Sequence, residues 1–266
     1  MYTIIKYSKC YYLFSESLIL MENLYSIKKI KNSQDRKKVK SFLFLYFLIP
    51  LAWPFTWILI KLNISANQVT SSRIILIFIA YIIIILDHSI TGYILIYFTL
   101  LMDNIDGQIS RVTNSGSYYG KYMDGWTDCL FEITFPITLG YYIYTKTGDY
   151  QIFSIGLFAG LFYGLFYLTL LRYAIFKKNE KKHEFNGYKK KILYYLENHI
   201  SENLFDIKYT LFPILAFFSM EELYLKALMI FNLTLFILFS IKKFYVGFYL
   251  LNVHKTSSTQ NRNYKA

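Results

Sequence analysis

The stretch Asp103-Asn104-Ile105-Asp106-Gly107-Gln108-Ile109-Ser110-Arg111, followed after eight residues by Gly120-Lys121-Tyr122-Met123-Asp124-Gly125-Trp126-Thr127-Asp128, decides how this chain is read. It gathers four of the chain's eight aspartates into 26 residues, and apolar segments flank it on both sides. A charged side chain at bilayer depth costs about 2.5–3.5 kcal/mol. Four carboxylates set close together in an otherwise apolar sequence therefore call for a cation to neutralise them.

The rest of the sequence is that of a membrane protein. Of 266 residues, 55% are hydrophobic and 20% aromatic, and only 17% are charged. Apolar runs recur that are long enough to cross about 30 Å of hydrocarbon. The net charge of +12, from 29 Lys+Arg against 17 Asp+Glu, does not point to nucleic acid. The lysines gather at the ends of apolar segments, where they mark the cytoplasmic side and meet anionic headgroups, and no nucleic-acid module is present. Cys10 and Cys129 form no framework, and the four histidines (His88, His183, His199, His254) have no metal-ligand spacing.

The chain divides into a basic cytoplasmic extension (1–41), a membrane domain (42–250) and a polar cytoplasmic tail (251–266). The expected fold is all-α: a bundle of six transmembrane helices preceded by an interfacial amphipathic helix. Spans are expected near 68–86, 90–110, 120–143, 151–175, 207–220 and 223–250. The links near 87–89, 146–149 and 219–222 lack excess basic charge and read as outside. Those near 111–121 and 176–206, and the tail, are basic and read as inside, with both termini cytoplasmic. Residues 42–61 contain Pro50 and Pro54 and follow a run of lysines. They read as a kinked helix in the cytoplasmic interface, with a seventh span as the alternative.

Helical spacing sorts the motif into faces. Asp103, Asp106, Gly107 and Ser110 share one face of a helix. Gly120, Asp124 and Asp128 share a face of the next, and Glu132 extends it. The turn Asn114-Ser115-Gly116-Ser117 folds the two helices back so that the faces meet. Two carboxylates about 5 Å apart repel by roughly 3 kcal/mol at an effective dielectric of 20. A hard divalent cation, Mg²⁺ or Mn²⁺, relieves this through carboxylate oxygens shared with substrate phosphates. Gly107 and Ser110 leave room for a bulky ligand, and Arg111 is suited to bidentate contact with phosphate. The opposing account, helix-end charges in a solvated loop, covers Asp103 and Asp106 but not Asp124 and Asp128, which run into Cys129-Leu130-Phe131.

This pattern resembles the signature of the CDP-alcohol phosphotransferase family: Asp, two residues, Asp-Gly, two residues, a small residue, Arg, eight residues, Gly, three residues, Asp, three residues, Asp. All fixed positions match, with Ser110 where alanine is more frequent. Asn67-Gln68-Val69-Thr70-Ser71-Ser72-Arg73 is similar to the Asn-x-x-Thr-x-x-Arg that opens the family's first span, with Ala66 where proline is common. The resemblance covers about residues 42–250. It implies six transmembrane helices and transfer of a phosphoalcohol from a CDP-linked donor to an acceptor hydroxyl, with release of CMP. It implies that Asp103, Asp106 and Asp124 hold the metal at the donor pyrophosphate, and that Asp128 helps bind a second ion and acts as base. It also implies that Gly107, Ser110, Arg111, Gly120, Thr113 and Ser117 lie against the cytidine and phosphates, that Asn67 and Thr70 close the pocket, and that the protein is a homodimer. A plain helix cap is an equally simple account of Asn67 and Thr70.

The acceptor is less legible. Arg172, Lys177 and Lys178 end the fourth span; they either bind a phosphorylated acceptor or only enforce topology. The donor reads as CDP-diacylglycerol, with a soluble CDP-alcohol as the alternative. A divalent-cation transporter and an inactive membrane scaffold are the rival classes.

Overall fold

The computed structural model describes residues 27–33, 44–179 and 208–263. Most of the basic extension, with Cys10, and most of the 176–206 loop, with His183 and His199, lie outside the described residues. The described elements are helical: α1 (Ile27–Asn32), a π-helical turn (Phe44–Leu48) leading into α2 (Ile49–Lys61), α3 (Ala66–Ile85), α4 (Ser89–Thr113), α5 (Tyr118–Thr147), α6 (Tyr150–Asn179), α7 (Lys208–Phe217) and α8 (Glu221–Asn263). No strand occurs among the described residues. The helix bounds fall close to the expected spans, and α8 continues as helix into the polar tail.

Left-handed backbone positions separate consecutive helices. Asn63, Asp87, Asn114, Gly148 and Ser219 have φ of 56°, 71°, 53°, 72° and 55° and sit between α2 and α3, α3 and α4, α4 and α5, α5 and α6, and α7 and α8. Short polar side chains and glycine tolerate this conformation best, which is why each helix ends there.

Two compact units are present: residues 1–127 with 199–210, and residues 128–198 with 211–266. In the first, α3 packs along α4, and α2 also rests on α4. The Thr56 hydroxyl donates to Gln108 Oε1 at 2.7 Å, and Gln108 Nε2 donates to the carbonyl of Ile49 at 3.3 Å. α2 buries Ile49, Ala52, Thr56 and Ile60 and exposes Leu51, Phe55 and Ile58. Its outer face is thus as apolar as its inner one. Lys61 sits 3.9 Å over the ring of Trp57. α3 likewise exposes Ile75, Phe78, Ile79 and Ile82 and buries Val69, Ile77, Ala80 and Ile84. A continuous apolar stripe of that kind suits a hydrocarbon surround.

In the second unit α5, α6 and α8 pack through small and aromatic residues. A Cβ added at Gly156 would lie 2.5 Å from the carbonyl oxygen of Pro136, and one at Gly160 would lie 2.4 Å from that of Ile133. Only glycine permits so close an approach of α6 to α5. Asn232 of α8 donates to the carbonyl of Ala159 at 2.9 Å within the buried interior. Phe135, Phe212 and Tyr224 join α5, α7 and α8 through ring contacts of 5.1 and 4.8 Å between centroids.

Among the described residues, three helices are both long and apolar enough to cross a membrane: Ala66–Ile85, Tyr150–Arg172 and Glu221–Ile241. Six spans were expected, and length and composition single out these three. α4 and α5, at 25 and 30 residues, have the length, but the motif's charges interrupt their apolar runs. α7 has the opposite deficit. It is apolar but ends at Phe217, and a helix needs about 20 residues to span.

Candidate functional site

The site lies in the first unit, where α3, α4 and the start of α5 meet. The Ser65 hydroxyl accepts from the amide of Gln68 at 3.3 Å, and Gln68 Oε1 accepts from the amide of Ser65 at 2.8 Å. This reciprocal cap starts α3, so the helix cap is Ser65 and not the pair Asn67 and Thr70. Those two are left to point elsewhere. Thr70 Oγ1 donates to Asp106 Oδ2 at 2.7 Å. Asn67 lies against α5: a Cβ at Gly120 would be 3.0 Å from its Oδ1.

The turn is built as its residue types dictate. Asn114 takes the left-handed conformation that ends α4. The Ser117 hydroxyl accepts from the amide of Gly120 at 2.9 Å and caps α5. Thr113 Oγ1 bonds back to the carbonyl of Ile109 at 2.8 Å and lies 2.8 Å from Ser115 Oγ. Thr113 and Ser117 therefore hold the turn. Ser110 reaches the same turn, since a Cβ at Gly116 would be 3.3 Å from its Oγ.

With the helices so placed, the two acidic faces converge. One oxygen from each of Asp103, Asp106 and Asp124 lies within 4.8 Å of the others, and this is the one such group of potential metal ligands among the described residues. Asp106 is buried, while the side chains of Asp103 and Asp124 are 29% and 46% exposed, so the cluster opens on their side. Arg73 of α3 reaches the cluster with its side chain 2% exposed. Its Nη1 donates to Asp103 Oδ1 at 2.5 Å and to Asp124 Oδ1 at 3.4 Å. Arg111 folds back over Gly107, whose added Cβ would be 3.1 Å from Arg111 Nη1, and it is attracted by Asp106 and Asp103.

Three convergent carboxylates with positioned oxygens are a donor set for a hard divalent ion, and Mg²⁺ or Mn²⁺ fits it. Asp128 follows Asp124 by one turn on the same helix and is half-buried, and Glu132 one turn further is buried. Both count with the second unit, as does Arg172, which is exposed. Lys177 and Lys178 fall on the last turns of α6, where the backbone alone is described.

Residues 62–238 match the family described as CDP-alcohol phosphatidyltransferase. This chain belongs to that family. It is a transferase family of phospholipid biosynthesis whose members generally use divalent metals. The match begins just before α3 and ends within α8, so the carboxylate site lies inside it. No curated protein matches the chain.

Arg73 is the site residue that spacing alone did not single out. It stands in the Asn67, Thr70, Arg73 series, three residues apart on one helix face, and that periodicity is the signal that places it with Thr70.

Proposed function

We propose that this CDP-alcohol phosphatidyltransferase moves a phosphatidyl group from CDP-diacylglycerol to the hydroxyl of a small alcohol and releases CMP. The observation that carries the reading is the convergence of Asp103, Asp106 and Asp124 within 4.8 Å, in a motif complete through Asp128. We further propose that residues 42–250 form the membrane domain. In this arrangement six helices cross the bilayer after an interfacial α2, and the site and both termini face the cytoplasm.

Asp103, Asp106 and Asp124 would hold one divalent ion, Mg²⁺ or Mn²⁺, and Asp128 would share a second. Bound there, such ions supply neutralisation of the pyrophosphate and stabilisation of the departing CMP. The chain's own residues do the rest. Thr70 and Arg73 orient the carboxylates. Arg111 pairs with donor phosphate, and Gly107, Ser110 and Gly120 leave space for the nucleotide, with Thr113 and Ser117 shaping the turn beside it. Asn67 and Thr70 close the pocket from α3. Asp128 accepts the proton of the acceptor hydroxyl as its oxygen bonds to the phosphatidyl phosphorus and the bond to CMP breaks on the opposite side. A carboxylate is a weak base toward an alcohol, so positioning and charge stabilisation carry most of the rate. Arg172 and Lys177 are the proposed contacts for a phosphorylated acceptor.

The test is direct. Purified protein with Mn²⁺ and CDP-diacylglycerol is given glycerol 3-phosphate, inositol, inositol phosphate or serine, and CMP is measured. Release with one acceptor supports the reading. Release only from CDP-choline, CDP-ethanolamine or CDP-inositol moves the donor to the soluble class. Metal flux into liposomes with no CMP from any donor overturns the enzyme.

A further inference from the structure

We propose that Arg73 is the positioning residue of the carboxylate triad. It clamps Asp103 and Asp124 side by side before any metal arrives, and so sets how much the site gains from taking one. The inference rests on the reading of the triad as a metal site, and it concerns a residue outside the aspartate motif.

Three helices meet at one guanidinium. Nη1 of Arg73, from α3, donates to Asp103 Oδ1 on α4 at 2.5 Å and to Asp124 Oδ1 on α5 at 3.4 Å. One turn earlier on α3, Thr70 Oγ1 donates to Asp106 Oδ2 at 2.7 Å. A single face of α3 therefore engages one oxygen in each of the three carboxylates. Groups that hydrogen-bond ligating carboxylates fix their orientation and tune the metal.

Charge gives the same answer. Three carboxylates within 4.8 Å of one another repel, and a buried positive charge touching two of them offsets that repulsion in the metal-free protein. A contribution to fold stability alone does not account for the arrangement. Taking a guanidinium out of water is costly, and a buried ion pair is often no more stabilising than well-packed apolar side chains. What the arrangement does supply is a fixed separation between ligands that come from two different helices.

Thermal unfolding in detergent, in EDTA and in Mn²⁺, tests this with no reference to turnover. Arg73→Met should lower Tm by several degrees in EDTA, and Mn²⁺ should close most of that gap, because the ion then supplies the whole neutralisation. Arg73→Lys, which keeps the charge, should lose less. The double variant Arg73→Met/Asp103→Asn should recover at least half of the loss in EDTA, since one of the repelling charges is gone. A Tm gap that is equal in EDTA and Mn²⁺, with no recovery in the double variant, overturns the proposal and leaves Arg73 as packing.

If the unaltered protein shows no Mn²⁺-dependent rise in Tm, the metal reading fails. The EDTA comparison of single and double variants then decides Arg73 by itself: recovery supports the clamp, and its absence overturns it. Should Arg73→Met fail to fold, folding of the double variant supports the clamp, and failure of both overturns it.

Discussion

The two compact units are held together by opposite means. At the acidic corner of the first, α3, α4 and α5 meet through charged and hydroxyl side chains, with Arg73 and Thr70 reaching three carboxylates. In the second, α5 and α6 meet where side chains are missing, with Gly156 and Gly160 against the backbone of Pro136 and Ile133. Polar contacts fix the distances that chemistry needs but cost desolvation. Backbone contact through glycine has no such cost, holds no ligand, and cannot give way. Substitutions of the motif's carboxylates should therefore alter turnover more than folding, and substitutions at the glycine contacts folding more than turnover.

The largest effect is expected at Asp128. Asp128→Asn keeps the shape of the side chain and removes its basicity, so CMP release should fall about 10²–10⁴-fold. The unfolding temperature of the purified protein should stay within a degree or two. A variant that retains a tenth of the activity would remove Asp128 from the proposed chemistry.

The reverse pattern belongs to the glycines. In Gly160→Val the new side chain starts 2.4 Å from the carbonyl oxygen of Ile133, an approach that backbone atoms cannot relieve without moving a helix. Overpacking of this kind costs about 1–3 kcal/mol, occasionally more. Denaturation in detergent should show the loss, while the fraction that remains folded turns over at close to the normal rate. Undiminished stability would mean that α5 and α6 do not depend on this contact.

Much of the acidic corner can be read without coordinates, because its pieces are local. Asp103 and Asp106 share a face by spacing, Asp124 and Asp128 share another, and four turn residues bring the faces together. The helix bounds follow for the same reason: apolar runs and the polar residues that interrupt them are neighbours in sequence. Arg73 is different. Its periodicity with Thr70 gives its face but not its partners, which lie 30 and 51 residues away. The cap of α3 was open to reading, since Ser65 and Gln68 have the spacing of a reciprocal cap, yet Asn67 and Thr70 compete for the same role until the backbone is seen. Gly156, Gly160 and Gly164 also recur every four residues, a spacing that marks close helix packing in membranes; which helix they meet is not a local property. The span count is least legible, because α4 and α5 combine sufficient length with charges that defeat a hydropathy criterion.

A smaller effect should sharpen the contrast inside the site itself. Gly107→Ala puts a methyl carbon 3.1 Å from Arg111 Nη1. Unlike a carbonyl, the tip of an arginine can move, so the fold should tolerate the change. Arg111 is then displaced from where donor phosphate is proposed to sit, and losing part of a charge-assisted contact should raise the donor KM about 3–10-fold. The value of kcat and the unfolding temperature should change little. If stability falls and KM does not, Gly107 belongs with Gly160 as a packing glycine.

The smallest effect tests whether polar contacts in the first unit are all tied to chemistry. Thr56 and Gln108 form a buried hydrogen bond of 2.7 Å between α2 and α4, and Gln108 is the immediate neighbour of Gly107. On the helix, however, Gln108 points toward α2, where it also donates to the carbonyl of Ile49, while Gly107 shares the face of the carboxylates. Thr56→Val preserves the shape of the side chain and removes the hydroxyl. The expected loss is about 1 kcal/mol of stability, read as a fall of a few degrees in unfolding temperature, with the donor KM and the Mn²⁺ response unchanged. A shift in either of those would mean that the docking of α2 is transmitted through α4 to the triad. With both unchanged, the division between chemistry and folding runs between the two faces of α4.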